Sequence, residues 1–246
     1  MELLFCGSIP KNDCKPCENE DYYNIGASGQ NVRIAVSDGA TISYDSKNWA
    51  KSLADYFVQK GAISNKNMNR LIKSYYSGYS NRFDFKNLTL FQRRGLRFGS
   101  YATILGVEYN FNSNLMQLVG VGDSVAILLD NYTFVDSFPY SFAKDFRKNP
   151  KLLSAKKKHN YFFSHSKEYG KFYKLWELSS ICQPVLLCMT DALGEWAFKS
   201  YESGNANVWK ELAGIAGVRD FKRFVDKKRA DGIMKIDDTT LICMKF

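Results

Sequence analysis

The sequence lacks any apolar run long enough to cross a bilayer. Its longer ones, Val125 to Leu129 and Val185 to Met189, reach five residues, where a spanning helix takes roughly 20. The stretch Met1 to Asp13 has neither the basic start nor the apolar run of a signal peptide. Histidine is scarce, with only His159 and His165, and the six cysteines are thinly scattered at 6, 14, 17, 182, 188 and 243. Cys14-Lys15-Pro16-Cys17 therefore has too few neighbouring ligands for a zinc site, since only Cys6 is close in sequence. A redox pair would sit between a strand and a helix, a pattern absent here. Cys182, Cys188 and Cys243 fall inside apolar runs and read as buried thiols. This usage points to a reducing, cytoplasmic setting and to no membrane partner. No internal repeat or low-complexity tract divides the chain, so residues 1–246 read as one domain.

What is present is ordinary for a globular protein, with 45% hydrophobic and 24% charged residues over 246 positions. The charge is not evenly spread. Of the net +9, the segment 144–174 alone carries +8, through ten Lys or Arg against Asp145 and Glu168. The remaining 215 residues are close to neutral.

Val32, Ile34 and Val36 alternate with Arg33, Ala35 and Ser37, which predicts a half-buried strand ending at Asp38-Gly39. Residues 46–60 place Trp49, Leu53, Tyr56 and Phe57 on one helical face, with Asp45 or Ser46 to cap and Gly61 to stop it. A second helix is predicted over 65–79, through Met68, Leu71, Ile72, Tyr75 and Tyr79. The period then shortens, and 101–109, 115–121, 124–130, 185–190 and 239–245 read as strands. Asn112-Ser113-Asn114 and Gly122-Asp123 are turn signals between them. Helical spacing returns over 193–230, with Phe221, Phe224 and Val225 on one face. Segregated helices and antiparallel hairpins argue for a layered α+β fold.

Four acidic sites share one context. Asp38 ends a strand, Asp191 follows one, Asp237-Asp238 open the last one, and Glu20-Asp21 precede the first strong one. Each taken alone can be a turn cap. Converging carboxylates, in contrast, repel one another and raise their pKa values unless a cation neutralises them. Hard divalent cations prefer such all-oxygen clusters.

The wording and order of these sites carry more. Asn19-Glu20-Asp21, Ala35 to Gly39, Gly99 to Thr103, Val121 to Ser124, Thr190 to Glu195 and Asp237 to Thr240 resemble, in sequence order, the metal-dependent serine/threonine protein phosphatases of the PPM (type 2C) family. The resemblance implies a four-layer α-β-β-α sandwich, two antiparallel sheets with helices on both outer faces. It implies two Mn²⁺ or Mg²⁺ ions. Asp38 would bridge them, the Gly39 carbonyl would bind one, and Asp191 and Asp237 would complete the other. Catalysis would run through the water these ligands hold between the metals. Glu20 would act through a metal-bound water beside Asp21, Glu195 would stand at a third metal, and Asp123 would be a structural turn residue.

Some positions depart from the family pattern. Pro16 stands where an arginine usually grips the phosphate, leaving Lys15 as a partial substitute. Ala40 to Ser43 replaces a glycine-rich loop, Ala192 replaces a glycine, and Val125 replaces a basic residue. The basic segment 144–174 corresponds to the family's variable flap, which makes Lys156, Lys157 and Lys158 candidates for contacting acidic phosphoproteins. A solvated loop is the plainer reading of such a charge run. Its lysines interleave with Phe146, Tyr161, Phe162, Phe163, Tyr169, Phe172 and Tyr173. Aromatics among lysines also suit single-stranded nucleic acid, though no RNP, KH or helix-turn-helix pattern accompanies them. The expected function is a phosphoserine/phosphothreonine phosphatase serving a phosphoprotein and its cognate kinase. The alternatives are a non-catalytic phosphoprotein-binding relative and a nucleic-acid-binding protein.

Overall fold

Val32, Ile34 and Val36 face one core and Ala35 another, as alternation along a strand requires. The same division recurs on a second strand, where Ala126 and Leu128 join the first core while Val125, Ile127 and Leu129 turn to a third. Two sheets therefore press their inner faces together and each buries its outer face under helices. This is a computed structural model, described over residues 1–63, 65–78, 86–164 and 170–246.

The chain begins with β1 (Glu2–Ile9), β2 (Asp21–Ser28) and β3 (Asn31–Asp38), then helices α1 (Ser46–Lys60), α2 (Asn65–Ser77) and α3 (Leu90–Phe98). Next come β4 (Tyr101–Ala102), β5 (Ile104–Asn110), β6 (Leu115–Val121), β7 (Val125–Asp130), β8 (Thr133–Phe138) and β9 (Leu153–Ser154). A short helix α4 (Tyr161–Ser164) precedes β10 (Tyr173–Glu177) and β11 (Pro184–Met189). Helices α5 (Asp191–Glu202), α6 (Val208–Ala213) and α7 (Val218–Ala230) lead to β12 (Thr239–Lys245). One antiparallel sheet has the order β1-β12-β11-β7-β8 and the other β10-β6-β5-β3-β2, with β4 and β9 forming a small ribbon. The result is the four-layer α-β-β-α sandwich. Helix α1 covers the β3 sheet through Trp49, Leu53 and Phe57, and α5 and α7 cover the β12 sheet through Trp196, Phe198, Phe221 and Val225. No helix among the described residues is long and apolar enough to cross a membrane.

The helix predicted over 46–60 has those limits, and Gly61 ends it in the left-handed region at φ 68°. Asp45 occupies the capping position without capping the backbone, because its carboxylate is taken by the side chains of Asn48 and Tyr75. The second helix ends at Ser77, and Tyr79, His165, Lys167, Glu168 and Tyr169 lie outside the described residues. The strand predicted over 101–109 is broken at Thr103, whose backbone and hydroxyl are both engaged with Asp38. The Gly122-Asp123 turn passes the chain from one sheet to the other. Cys188 and Cys243 are buried as expected, whereas Cys182 is exposed, in the loop between β10 and β11.

The basic segment is anchored by its apolar residues. Leu153, Ala155 and Phe163 are fully buried against the α1 layer, and the Leu153 carbonyl accepts a 2.9 Å hydrogen bond from the Trp49 indole. The Asn160 side chain grips both the N–H and the C=O of Ser154.

Candidate metal centre

The acidic sites meet at one end of the sandwich, on a seam between the two sheets. On one side, β2 and β3 run antiparallel with Asp21 opposite Asp38. The Asp38 N–H donates to Thr103 Oγ1 at 2.8 Å and its carbonyl accepts from the Thr103 N–H at 2.8 Å. Thr103 Oγ1 in turn shares a hydrogen bond with the Ser124 hydroxyl. Gly39 donates its N–H to the Glu20 carbonyl at 3.2 Å, and a Cβ there would lie 2.8 Å from the Ser46 carbonyl carbon. Only glycine fits where the chain leaves β3.

On the other side, Thr190 precedes α5 and Thr240 belongs to β12. Their backbones and the Thr190 hydroxyl are mutually bonded, and both hydroxyls donate to Asp21 Oδ2, at 2.9 and 2.7 Å. Asp21 is thereby a buried clip across the seam. Asp238 is also buried, its oxygens accepting the backbone N–H groups of Lys11 and Glu20 at 2.7 and 2.8 Å. Asp237 is left facing the seam, its carbonyl held by the Arg229 guanidinium from α7.

The electrostatics follow from crowding. Burial first, and then the neighbouring Asp21, Asp191, Asp123 and Asp237, hold the Asp38 carboxyl well above its ordinary range. Burial and the nearby Asp238 and Asp191 outweigh the hydroxyl donors and raise Asp21 to about 8. Burial and Asp191 raise Asp123 to about 7, and burial raises Asp191 despite its cationic neighbour. That neighbour is Lys235, whose ammonium bonds Asp191 Oδ2 and stands 2.8 Å from Asp237 Oδ2. Burial alone would lower the Lys235 pKa, but Asp191 and Asp237 outweigh it and push it up.

Among the described residues no three His, Cys, Asp or Glu side chains stand in metal-holding geometry. The donor chemistry nonetheless fits a hard divalent cation. Asp21 Oδ1 and Asp191 Oδ1 are buried without a hydrogen-bond partner, an arrangement that costs free energy until positive charge reaches it.

No family model matches the sequence, and no curated protein does. Solved structures do match. A bacterial serine phosphatase is 14% identical over 93% of this chain and 92% of its own, with TM-score 0.55. A bacterial serine phosphatase bearing a point mutation is 13% identical over 98% and 95%, with TM-score 0.54. The photosystem II phosphatase PBCP is 12% identical over 97% of both chains, with TM-score 0.53. The chain has the PPM phosphatase fold. The family resemblance read from the sequence is met at the level of architecture.

Within this PPM fold the other candidate residues are placed as follows. Glu20 accepts from the Ser46, Thr41 and Lys11 side chains at 2.5, 2.6 and 2.8 Å. Glu195, one turn along α5 from Asp191, pairs with Lys199. Lys15 pairs with Glu18 on an exposed turn, and the ammonium beside Glu20 belongs instead to Lys11. Lys157 and Lys158 are exposed, and Lys156 lies over the Tyr76 ring. Cys14 and Cys17 are exposed free thiols, and His159 Nδ1 is bonded to the Tyr101 hydroxyl. Sequence reasoning gave no role to Lys11, Lys235, Thr190 or Thr240. The threonines stood inside the quoted blocks, and neither lysine did.

Proposed function

We propose that this chain is a metal-dependent phosphatase, acting as a single domain on phosphoserine and phosphothreonine in cytoplasmic proteins. One observation carries the reading: buried, mutually repelling carboxylates from both sheets converge on one seam with unpartnered oxygens. Asp38, Gly39, Asp191 and Asp237 are the residues assigned to hold Mn²⁺ or Mg²⁺, with Glu20 acting through a water and Glu195 assigned to a third ion. When bound, the metals neutralise the phosphate dianion and activate water for in-line attack. The chain's own residues supply the rest. Thr103 fixes the direction of Asp38, and Thr190 and Thr240 hold Asp21 as a hydrogen-bonded wall. Lys11 places an ammonium beside Glu20 at the rim, where an incoming phosphate meets it. The exposed Lys157 and Lys158, with Lys156, give the approach to the centre a positive field that favours acidic phosphoproteins made by a cognate kinase.

A second reading is favoured by Lys235, because an internal ammonium on Asp191 and Asp237 would also suit a non-catalytic phosphoprotein-binding relative. Hydrolysis of a small aryl phosphate with and without Mn²⁺ separates the two. Asp38→Asn, Asp191→Asn and Asp237→Asn are each expected to abolish Mn²⁺-dependent turnover while the circular dichroism spectrum stays native. Near wild-type activity in any two of them would overturn the assignment.

A further inference from the structure

Beside the acidic seam lies a cavity of about 800 Å³, within the usual size range of ligand sites. Glu20 and Lys11 are shared by cavity and seam, and the Glu20 carbonyl holds the N–H of Gly39, the residue after Asp38. The far wall is α3, an amphipathic helix with a complete capping box at Thr89 and Gln92. Two large apolar side chains on the walls face water. Ile42, on the loop after Asp38-Gly39, is 97% exposed, and Phe98, at the end of α3, is 64% exposed. Exposed apolar surface gathered at a concave site marks a place where a partner is received.

The charges of the walls say what kind of partner. Every acid lining the cavity is already engaged. Glu20 is bound by Lys11, Thr41 and Ser46, Glu18 by Lys15, and Asp45 by Asn48 and Tyr75. Among the cations, Lys11 is held by Glu20 and Lys47 by the Cys17 carbonyl, whereas Arg94 on α3 has no hydrogen-bond or ion-pair partner among the described residues. The cavity therefore offers apolar walls and one uncommitted guanidinium, whose planar fork suits a carboxylate.

We infer that this cleft receives the stretch of substrate chain flanking the phosphorylated residue, with a large apolar side chain seated between Ile42 and Phe98 and an acidic side chain on Arg94. The inference rests on the phosphatase reading for its substrate, since a phosphoprotein bound at the seam must extend over an adjoining wall. Arg94 and Phe98 are then specificity-determining residues. They touch the substrate's flanks and not its phosphate.

The test uses phosphoserine peptides carrying Leu and Glu at successive positions on either side of the phosphoserine, beside matched peptides with Ala and Gln. A small aryl phosphate is the control. The unmodified protein is expected to favour one Leu/Glu placement by about tenfold in kcat/KM, the scale of one good anchoring contact. Arg94→Gln combined with Phe98→Ala should erase that preference and leave the aryl phosphate rate within about twofold, since neither side chain meets the phosphate. A preference that survives in the double variant, a protein with no preference, or an equal fall on peptide and aryl phosphate would each overturn the cleft. If the unmodified protein hydrolyses nothing, the phosphatase reading alone fails. Fluorescence anisotropy of the labelled peptides then decides the cleft by the same ratio, retained in the parent and lost in the variant.

Discussion

Replacing Lys235 by Met removes the one cation that, among the described residues, is bonded to both Asp191 and Asp237, while keeping the length of its apolar stem. The two contacts are charge-assisted, a class worth about 1.5–3 kcal/mol each when shielded. The Lys235 side chain is 44% exposed, however, while Asp191 and Asp237 are 14% and 28% exposed. Solvent screening reduces exposed pairs to about 0.2–1 kcal/mol, so about 1 kcal/mol per contact is the reasonable middle, or about 2 kcal/mol in all. In metal-free buffer Lys235→Met should therefore melt about 4–8 °C below the parent, at roughly 2–4 °C per kcal/mol for a chain of this size. A divalent cation entering the seam must displace the ammonium and forgo the same free energy. Mn²⁺ should therefore bind the variant up to about thirtyfold more tightly, and the melting deficit should close as Mn²⁺ is added. Scanning calorimetry with chelator and isothermal titration with Mn²⁺ measure both quantities. An unchanged metal-free melting temperature, or weaker Mn²⁺ binding in the variant, would refute the idea that Lys235 and the metal compete for one place.

Other expectations concern the periphery. Lys156, Lys157 and Lys158 changed together to Gln should lower kcat/KM for acidic phosphopeptides and flatten its salt dependence, with the aryl phosphate rate unchanged; equal effects on both substrates would mean that the segment shapes the centre itself. Asp136 on β8 ties the two sheets by accepting from Trp176 and Lys174 of β10, both at 2.8 Å. Burial would raise its carboxyl, but Lys174 and Trp176 outweigh it and hold it below its ordinary value. A lowered carboxylate stabilises the fold above its unfolded pKa and loses that contribution as pH falls through the folded one. Asp136→Asn should thus cost about 1 kcal/mol in urea unfolding at pH 7, a figure already reduced for its one-third exposure, and the deficit should shrink steadily as pH falls below about 4; a deficit that stays constant on acidification would contradict the sign.

Of the ten strands in the two main sheets, six were legible from the sequence and four were not, and the division has a physical cause. The pattern gave β3, β5, β6, β7, β11 and β12, which are the inner strands of the two sheets. The unread strands β1, β2, β8 and β10 are the four edges. An edge strand pairs on one side only, and polar residues such as Asn24, Asp136 and Lys174 interrupt its apolar alternation. Helix α3 was missed because its nine residues are fewer than the window over which helical periodicity stands out. At the candidate centre, Asp38, Asp191 and Asp237 were legible because carboxylates at strand ends have a recognisable wording. Lys235 and Lys11 were not, because lone lysines outside such wording look like any solvated cation; Lys235 is only two positions from Asp237, but its other partner, Asp191, is 44 positions away and is brought to it by the fold.

Asp38 ends a strand of one sheet, while Asp191 follows β11 and Asp237 precedes β12 of the other, and Asp21 fastens the two. The gap between these carboxylates is thus the thickness of a wedge, set by the side chains sandwiched in the middle of the protein. Ile34, Leu105, Leu186 and Ile242 act as shims in that wedge. Shaving a methylene from one of them lets the jaws settle closer, and adding one props them apart, because such interiors transmit strain instead of absorbing it. On the phosphatase reading, the bite on a metal ion would therefore be written in hydrophobic residues that never touch it. Two chains sharing every acidic residue but differing in this filling would grip cations of different radius.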